Sequence, residues 1–413
     1  MSASKTVFGH GFWRLAVASG LSNLADGVFK LALPLAAIAV TRSPTLVAGV
    51  ELARSLPWLL LALPVGALAD RLDRRRTMIT ANVARTTAVA TLALAVQRDS
   101  GSIVVLFVVA FISGTAEVFY DTAGQSVLPS LVPRELLGRA NGRLGAIELG
   151  GQFFIGPPLA GLLAGVGIAV AFGATTGLWL IAVVALVALR GRFRPERDTG
   201  PASIRSDVAE GLRFVVAHPT LRTLAAMAGV ATLATSAAGT VLVLFAVGDD
   251  SALGLSQSQF GLLFLTSAAG SIAATAVNER IEHRLGRSHT LTLTMAGLVV
   301  FVGAPAVTDD VLIVAGSMFV GGALIMMWNI ITVSFRQAIT PDHLLGRVNS
   351  VYRLLAWGNI PLGAALGGLI AEAFGVRVVF ASMGILAALL LIPARALTDT
   401  ALEGAENDAS PTP

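Results

Sequence analysis

An all-α membrane protein with twelve spanning helices in two six-helix halves is the fold this sequence predicts, and three observations carry that reading. Of 413 residues, 55% are hydrophobic and 13% charged, and the mean hydropathy is +0.77, too apolar for one water-facing domain of this length. Apolar runs of about 20 residues or more recur between short charged or Gly/Pro-bearing turns, without the alternation of barrel strands. A polar, basic interruption near the middle divides the runs six and six.

In order, the runs cover residues 12–40, 46–69, 78–97, 102–128, 141–166 and 168–189, then 220–247, 257–278, 289–307, 311–338, 344–371 and 376–394. A backbone facing lipid must satisfy its own hydrogen bonds, so each continuous run is read as a helix. The interruption, GRFRPERDTGPASIRSDVAEGLRFVVAHP, starts basic and turns amphipathic, with Ile204, Val208, Leu212 and Val215 at helical spacing. It predicts a linker followed by a helix lying on the membrane surface. The expected domains are a six-helix bundle over 1–190, a cytoplasmic linker and interfacial helix over 191–218, a second bundle over 219–400, and a disordered tail over 401–413.

Basic residues set the orientation. Arg71, Arg74, Arg75, Arg76, Arg139, Arg192, Arg280, Arg284 and Arg347 fall in alternate connections, whereas the opposite connections hold little beyond Arg42, Arg98 and Arg377. That distribution places both termini in the cytoplasm and the chain in the inner membrane. The isoelectric point near 10.2 then follows from topology and lipid headgroups, with no nucleic-acid partner implied. The first run lacks a cleavage pattern and is expected to remain as a helix.

Several chemistries are excluded. There is no cysteine, hence no disulfide, iron–sulfur cluster or thiol nucleophile. The five histidines form no compact ligand pattern, so no metal is expected. The lysines, Lys5 and Lys30, follow no glycine, so the phosphate-binding loop of an ATPase is missing. No nucleophile–base pair is evident, and an enzyme or a bound cofactor is not expected. A monomer is.

The halves are related. A displacement of 208 residues lays LLGRANG at Leu136 over LLGRVNS at Leu344, Gly114 over Gly322 and Arg14 over Arg222, and one further residue lays RLDRR at Arg71 over RIEHR at Arg280. Transporters built from two related bundles around a midplane site show such weak self-similarity.

The stretch GALADRLDRRRT, Gly66 to Thr77, puts an acid and a burst of arginines behind the second run. It resembles the signature loop of the major facilitator superfamily, with Gly66, Leu68, Asp70, Arg71, Arg74 and Arg75 matching. The resemblance implies a cytoplasmic latch that stabilises an outward-facing state. In the second half Thr275 and Glu279 occupy the glycine and acid positions, so a symmetric latch is not implied there. IGPPLAG in the fifth run resembles the Gly-Pro motif of the superfamily's antiporters through Gly156, Pro157 and Gly161, with Ala160 and Gln152 departing from it. A packing kink alone also accounts for these residues. The longer runs GTAEVFYDTAGQSVLPSLVPRELLGRANG and RSLPWLLLALPVGALADRLDRRR resemble the branch of macrolide-efflux proteins and enterobactin exporters, which implies proton-linked export driven by the proton-motive force.

Charges inside membrane helices are costly and mark functional candidates. The first half supplies Asp26, Lys30, Arg85, Glu117, Asp121 and Glu148 as proton-coupling candidates. At the 208-residue displacement Asp26 falls on Ala234, Glu117 on Ile325, Asp121 on Asn329 and Glu148 on Ala356, so the scaffold itself does not require these charges. Asp26 and Glu117 come nearest the bilayer middle, with Lys30 one turn from Asp26 as its expected counter-ion. Asp121, Arg85 and Glu148, each about eight residues from a cytoplasmic helix end, are expected to form a network near the latch. Glu51 and Arg54, closer to the outer surface, are read as an external gate or a solvated pair. Trp58, Phe119, Tyr120, Phe153, Phe154, Trp328, Asn329, Arg353 and Trp357 are candidates to line a cavity for cargo, although any one can equally pack against a helix or lipid. Arg336 is read as ending a helix.

The expected activity is proton-driven export of amphipathic, cationic or neutral small molecules. Rival readings are a dedicated exporter of a metabolite such as a siderophore, a nutrient importer, and a membrane sensor or assembly factor that transports nothing.

Overall fold

All twelve apolar runs are helical in the computed structural model, which describes residues 8–69, 72–98, 101–191, 193 and 204–409. The first four spans are α1 (His10–Val40), α2 (Pro44–Ala69), α3 (Arg74–Gln97) and α4 (Ile103–Gln125). The fifth is α5 (Leu137–Leu149) and α6 (Gly156–Val166), joined by a π-helical stretch at Gly150–Ile155, and the sixth is α7 (Ile168–Val187). After the linker come α8 (Ile204–Ala217) and α9 (Pro219–Ala246). The helix α10 (Gln257–Val307) holds the eighth and ninth spans, broken at Gly286, where φ is 79°. The tenth is α11 (Val311–Ile339), the eleventh α12 (Asp342–Trp357) with α13 (Ile360–Phe374), and the twelfth α14 (Val376–Leu389) with the short α15 (Leu391–Ala394). Last is α16 (Asp399–Ala409).

Local chemistry fixes the ends. Asp73 caps α3 by accepting from Arg76 N at 2.9 Å, Ser102 caps α4 through Val105 N, and Asp310 caps α11 through Leu312 N and Ile313 N. Pro157, Pro219 and Pro361 open α6, α9 and α13, where a missing N–H costs nothing.

Contacts divide the chain into two compact units. Unit 1 comprises Met1–Val40, Ala53–Thr199 and Gln257–Leu262, and unit 2 comprises Thr41–Leu52, Gly200–Ser256 and Leu263–Pro413. They interleave in sequence, unlike the contiguous bundles expected over 1–190 and 219–400.

Within each unit one glycine sets a helix crossing. A β-carbon at Gly114 of α4 would lie 1.9 Å from the carbonyl oxygen of Arg54 on α2, and one at Gly322 of α11, 208 residues on, would lie 2.0 Å from the carbonyl oxygen of Ser267 on α10. The repeat seen in the sequence is thus a repeat of backbone contact. Unit 1 contains an apolar cluster in which Phe8, Phe12 and Leu15 pack with Tyr120, Leu128, Leu186 and Phe193.

Two expectations change. The tail read as disordered over 401–413 is helical to Ala409, because Asp399 accepts from Ser288 N at 2.8 Å and Glu406 accepts from Arg287 at 2.6 Å. The amphipathic helix α8 docks on α12 within unit 2: Glu210 pairs with Arg347, and the backbone of Arg347 leaves no room for a side chain at Gly211. Val215 is buried while Leu212 is exposed, so the protein itself covers part of its apolar face.

Candidate functional site

Several of the expected charges of unit 1 meet, and Asp26 and Lys30 take partners other than each other. Asp26 does not pair with Lys30. Its Oδ1 accepts from Arg85 Nη1 at 2.6 Å. Lys30 Nζ reaches across to Glu117 Oε1 at 2.9 Å. Arg54, expected near the outer surface beside Glu51, is buried and donates to Glu117 Oε2 at 3.2 Å. It lies ten residues into α2, about 15 Å along the axis, and Gly114 brings that turn of α2 against α4 three residues before Glu117.

Arg85 is wholly enclosed. Besides Asp26 it donates to Asn82 Oδ1 at 2.5 Å and to Ser22 Oγ at 3.0 Å. Its guanidinium carbon stands 4.8 Å from the Tyr120 ring centre and 4.9 Å from that of Trp179. A planar cation between two aromatic faces, with its fork on a carboxylate, replaces much of the hydration it has lost. The network of Arg85, Asp121 and Glu148 expected near the latch is not formed. Arg85 turns to Asp26, and neither Asp121, one turn beyond Glu117, nor Glu148 on α5 has an ion-pair partner among the described residues.

Asp70 and Arg71 lie outside the described residues. Of the other latch positions, Arg74 donates to the carbonyl of Ser126 at 2.8 Å, and Arg75 donates to those of Leu186 and Val187 at 2.8 and 2.5 Å. Both arginines therefore cap helix C-termini inside unit 1, satisfying end carbonyls and the negative end of the helix dipole. Gly66 has open space where a β-carbon would go. In the Gly-Pro motif, a β-carbon at Gly156 would lie 2.6 Å from Gly27 Cα on α1, and one at Gly161 would lie 2.5 Å from Gly261 Cα. Pro157 follows directly on the π-helical stretch, a feature frequent at functional sites.

The aromatic candidates separate. Trp328, Asn329, Arg353 and Trp357 line one cavity of about 400 Å³ in unit 2, together with Arg336, Tyr352 and several threonines. Phe119 lines a groove along α3 and α4. Tyr120 is buried under Arg85 rather than open to cargo. Phe153 is 55% exposed on the π-helical stretch, Phe154 and Trp58 are half-buried, and none of these three lines either cavity. Sequence reasoning missed Ser22, Asn82 and Trp179 around Arg85, and Tyr352 and the cavity position of Arg336. Arg336 does stand in the last turn of α11, and a cation at a helix end reads as a cap until its neighbours are known. Among the described residues no group of histidines and acids could hold a metal ion.

Long apolar helices in two repeat-related sets, with paired charges inside the first and an aromatic cavity in the second, define a polytopic membrane transporter of the major facilitator type. The chain belongs to the transmembrane secretion effector family, MFS_3, whose model matches residues 4–412. It is 28% identical over 354 residues to the multidrug efflux pump Tap of Mycolicibacterium fortuitum, covering 81% of this chain and 83% of that one. It is 29% identical over 384 residues to the Tap pump of Mycobacterium tuberculosis (strain ATCC 25618 / H37Rv), covering 88% of each. The fold is shared with a bacterial homologue of the iron transporter ferroportin in an inward-facing state, at a TM-score of 0.73, 16% identity and coverage of 94% and 98%. It is also shared with the nucleoside transporter NupG, at a TM-score of 0.70, 11% identity and coverage of 94% and 99%.

Proposed function

We propose that this protein exports amphipathic small molecules in exchange for protons, as a monomer working by alternating access in the inner membrane with both termini in the cytoplasm. The similarity to the Tap efflux pumps supports the direction and the cargo class, and the alternation of basic connections supports the orientation. Catalysis has no part in this reading.

One observation carries the proton coupling. Asp121 stands on α4, four residues beyond Glu117, and alone of Asp26, Glu117 and Asp121 pairs with no cation among the described residues. Protonating Asp26 or Glu117 breaks buried ion pairs, whereas protonating Asp121 breaks none and changes the charge of the cluster by one. Asp121 is therefore the group that loads and releases the proton, and Lys30, Arg54 and Arg85 set the field around it. A proton crossing 100 mV supplies about 2.3 kcal/mol, enough for about fiftyfold concentration of a neutral cargo in one-for-one exchange.

The test is proton movement in everted vesicles holding a pH gradient, with dyes, macrolides and siderophores added in turn. Collapse of the gradient by one compound class, lost in Asp121→Asn while downhill exchange of the same compound persists, is the expected result. Retained proton movement in Asp121→Asn assigns the coupling elsewhere, and no movement with any compound removes proton-coupled export.

A further inference from the structure

The described lining of the cavity in unit 2 offers donors and no acid. Arg336 lies in the last turn of α11 with 8% of its surface exposed. Its Nε donates to Asn349 Oδ1 at 2.7 Å, and its guanidinium carbon stands 4.1 Å from the centre of the Tyr352 ring. Its Nη1 is buried and has no hydrogen-bond partner, and the Tyr352 hydroxyl is in the same condition. Arg353, on α12, stacks over Trp357 at 4.7 Å. Among the described lining residues there is no carboxylate.

The contrast with unit 1 is chemical. There the buried guanidiniums of Arg54 and Arg85 each meet a carboxylate. Arg336 is as buried as Arg54, yet the groups it meets are the Asn349 amide oxygen and Tyr352 rather than a carboxylate. A buried cation with an unmet donor is costly, and Arg336 is one of the residues that line a cavity of ligand size.

Building on the export reading above, we propose that this cavity is a cargo site whose ligands are amphipathic molecules bearing an anionic oxygen, a carboxylate, phenolate or enolate, accepted by Arg336 Nη1 while their apolar part rests on Trp328 and Trp357. Charge-assisted bonds from arginine to such oxygens are short and strong, and indole faces suit flat apolar rings. The cationic cargo expected from the sequence finds the Arg336 guanidinium here and no carboxylate among the described lining residues.

The experiment measures binding, without a gradient, by calorimetry on the full chain in lipid nanodiscs. Three probes share a naphthylbutyl skeleton and end in a carboxylate, a carboxamide or a trimethylammonium group. The carboxylate is expected to bind about 10- to 100-fold more tightly than the carboxamide, the usual range for a hydrogen bond to a charged group, with the ammonium weakest. Arg336→Gln removes that advantage and leaves carboxamide affinity within about twofold, while Arg336→Lys keeps part of it.

Equal affinities in the unsubstituted protein overturn the proposal, whatever the variants do. So does an advantage that survives in Arg336→Gln. If Arg336→Gln fails to fold, a diazirine derivative of the carboxylate probe decides on the unsubstituted protein: labelling within residues 325–357 supports the site, and labelling confined elsewhere overturns it. Charge preference without proton movement in vesicles sinks proton-coupled export and leaves the site standing, and proton movement without charge preference does the reverse.

Discussion

Lys30 follows Asp26 by one helical turn on α1, yet its Nζ lies 2.9 Å from Glu117 Oε1 on α4, while Asp26 goes to Arg85 on α3. Two buried pairs thus tie α1 to two different neighbours, and Arg54 adds α2 to the second pair.

Glu117→Gln leaves Lys30 and Arg54 facing a neutral amide. Removing one partner of a buried pair costs about 3–5 kcal/mol, since the remaining charge keeps its desolvation penalty. Thermal unfolding in detergent should fall well below that of the parent. Adding Lys30→Met, which removes one of the two cations bonded to that carboxyl, should recover part of the loss. An unchanged unfolding temperature in Glu117→Gln would mean the pairs contribute nothing to the fold.

Arg85→Lys keeps the charge and loses the fork. One ammonium cannot serve Asp26, Asn82 and Ser22 together and also lie flat between Tyr120 and Trp179. The variant should unfold at a lower temperature, and the fluorescence of Trp179 should shift as the cation leaves its face. Arg75→Lys, whose partners are helix-end carbonyls, should cost about 1 kcal/mol or less.

The spans were legible because hydropathy alone marks them, and that Asp26 and Glu117 fall inside α1 and α4 follows from counting along those runs. The pairing was not. A helix as apolar all round as α1 gives no sign of which face meets which neighbour, so Lys30, the nearest cation in sequence, stood in for Arg85, which is 59 residues from Asp26. Arg336 shows the same limit: its place in the chain gave the helix end, and only the approach of α12 makes it part of a cavity. The tail misled for another reason, since its polar composition matches disorder until the loop it caps, more than 100 residues away, is brought beside it.

Gly114→Ala and Gly322→Ala test whether the sequence repeat is a packing repeat. Each added methyl would meet a carbonyl oxygen at about 2 Å, so each helix pair must part, at a cost of about 1–3 kcal/mol or more. Gly316→Ala on the same α11 meets open space and should be neutral or stabilising by up to about 1 kcal/mol. In unit 1 the shift also moves Arg54 off Glu117, so Gly114→Ala should reduce the further loss caused by Arg54→Gln. Full additivity of those two substitutions would mean that the crossing does not position the ion pair.

The C-terminal helix makes the corresponding test in unit 2. Asp399 Oδ1 accepts from Ser288 N at 2.8 Å, just after the break in α10, and a β-carbon on Gly286 would lie 2.5 Å from Asp399 Oδ2. At φ 79° only glycine is at ease. Asp399→Ala removes an N-terminal cap and should cost about 1 kcal/mol. Gly286→Ala adds strain and also pushes Asp399 away, so it should cost more. Because both act on one contact, the double variant should lose less than the sum of the two, and ending the chain after Thr398 should match Asp399→Ala plus the loss of the Arg287–Glu406 pair. Limited proteolysis around residues 280–290 reads the same contact directly: cleavage should rise in each variant, and if it does not, α16 has no hold on that turn.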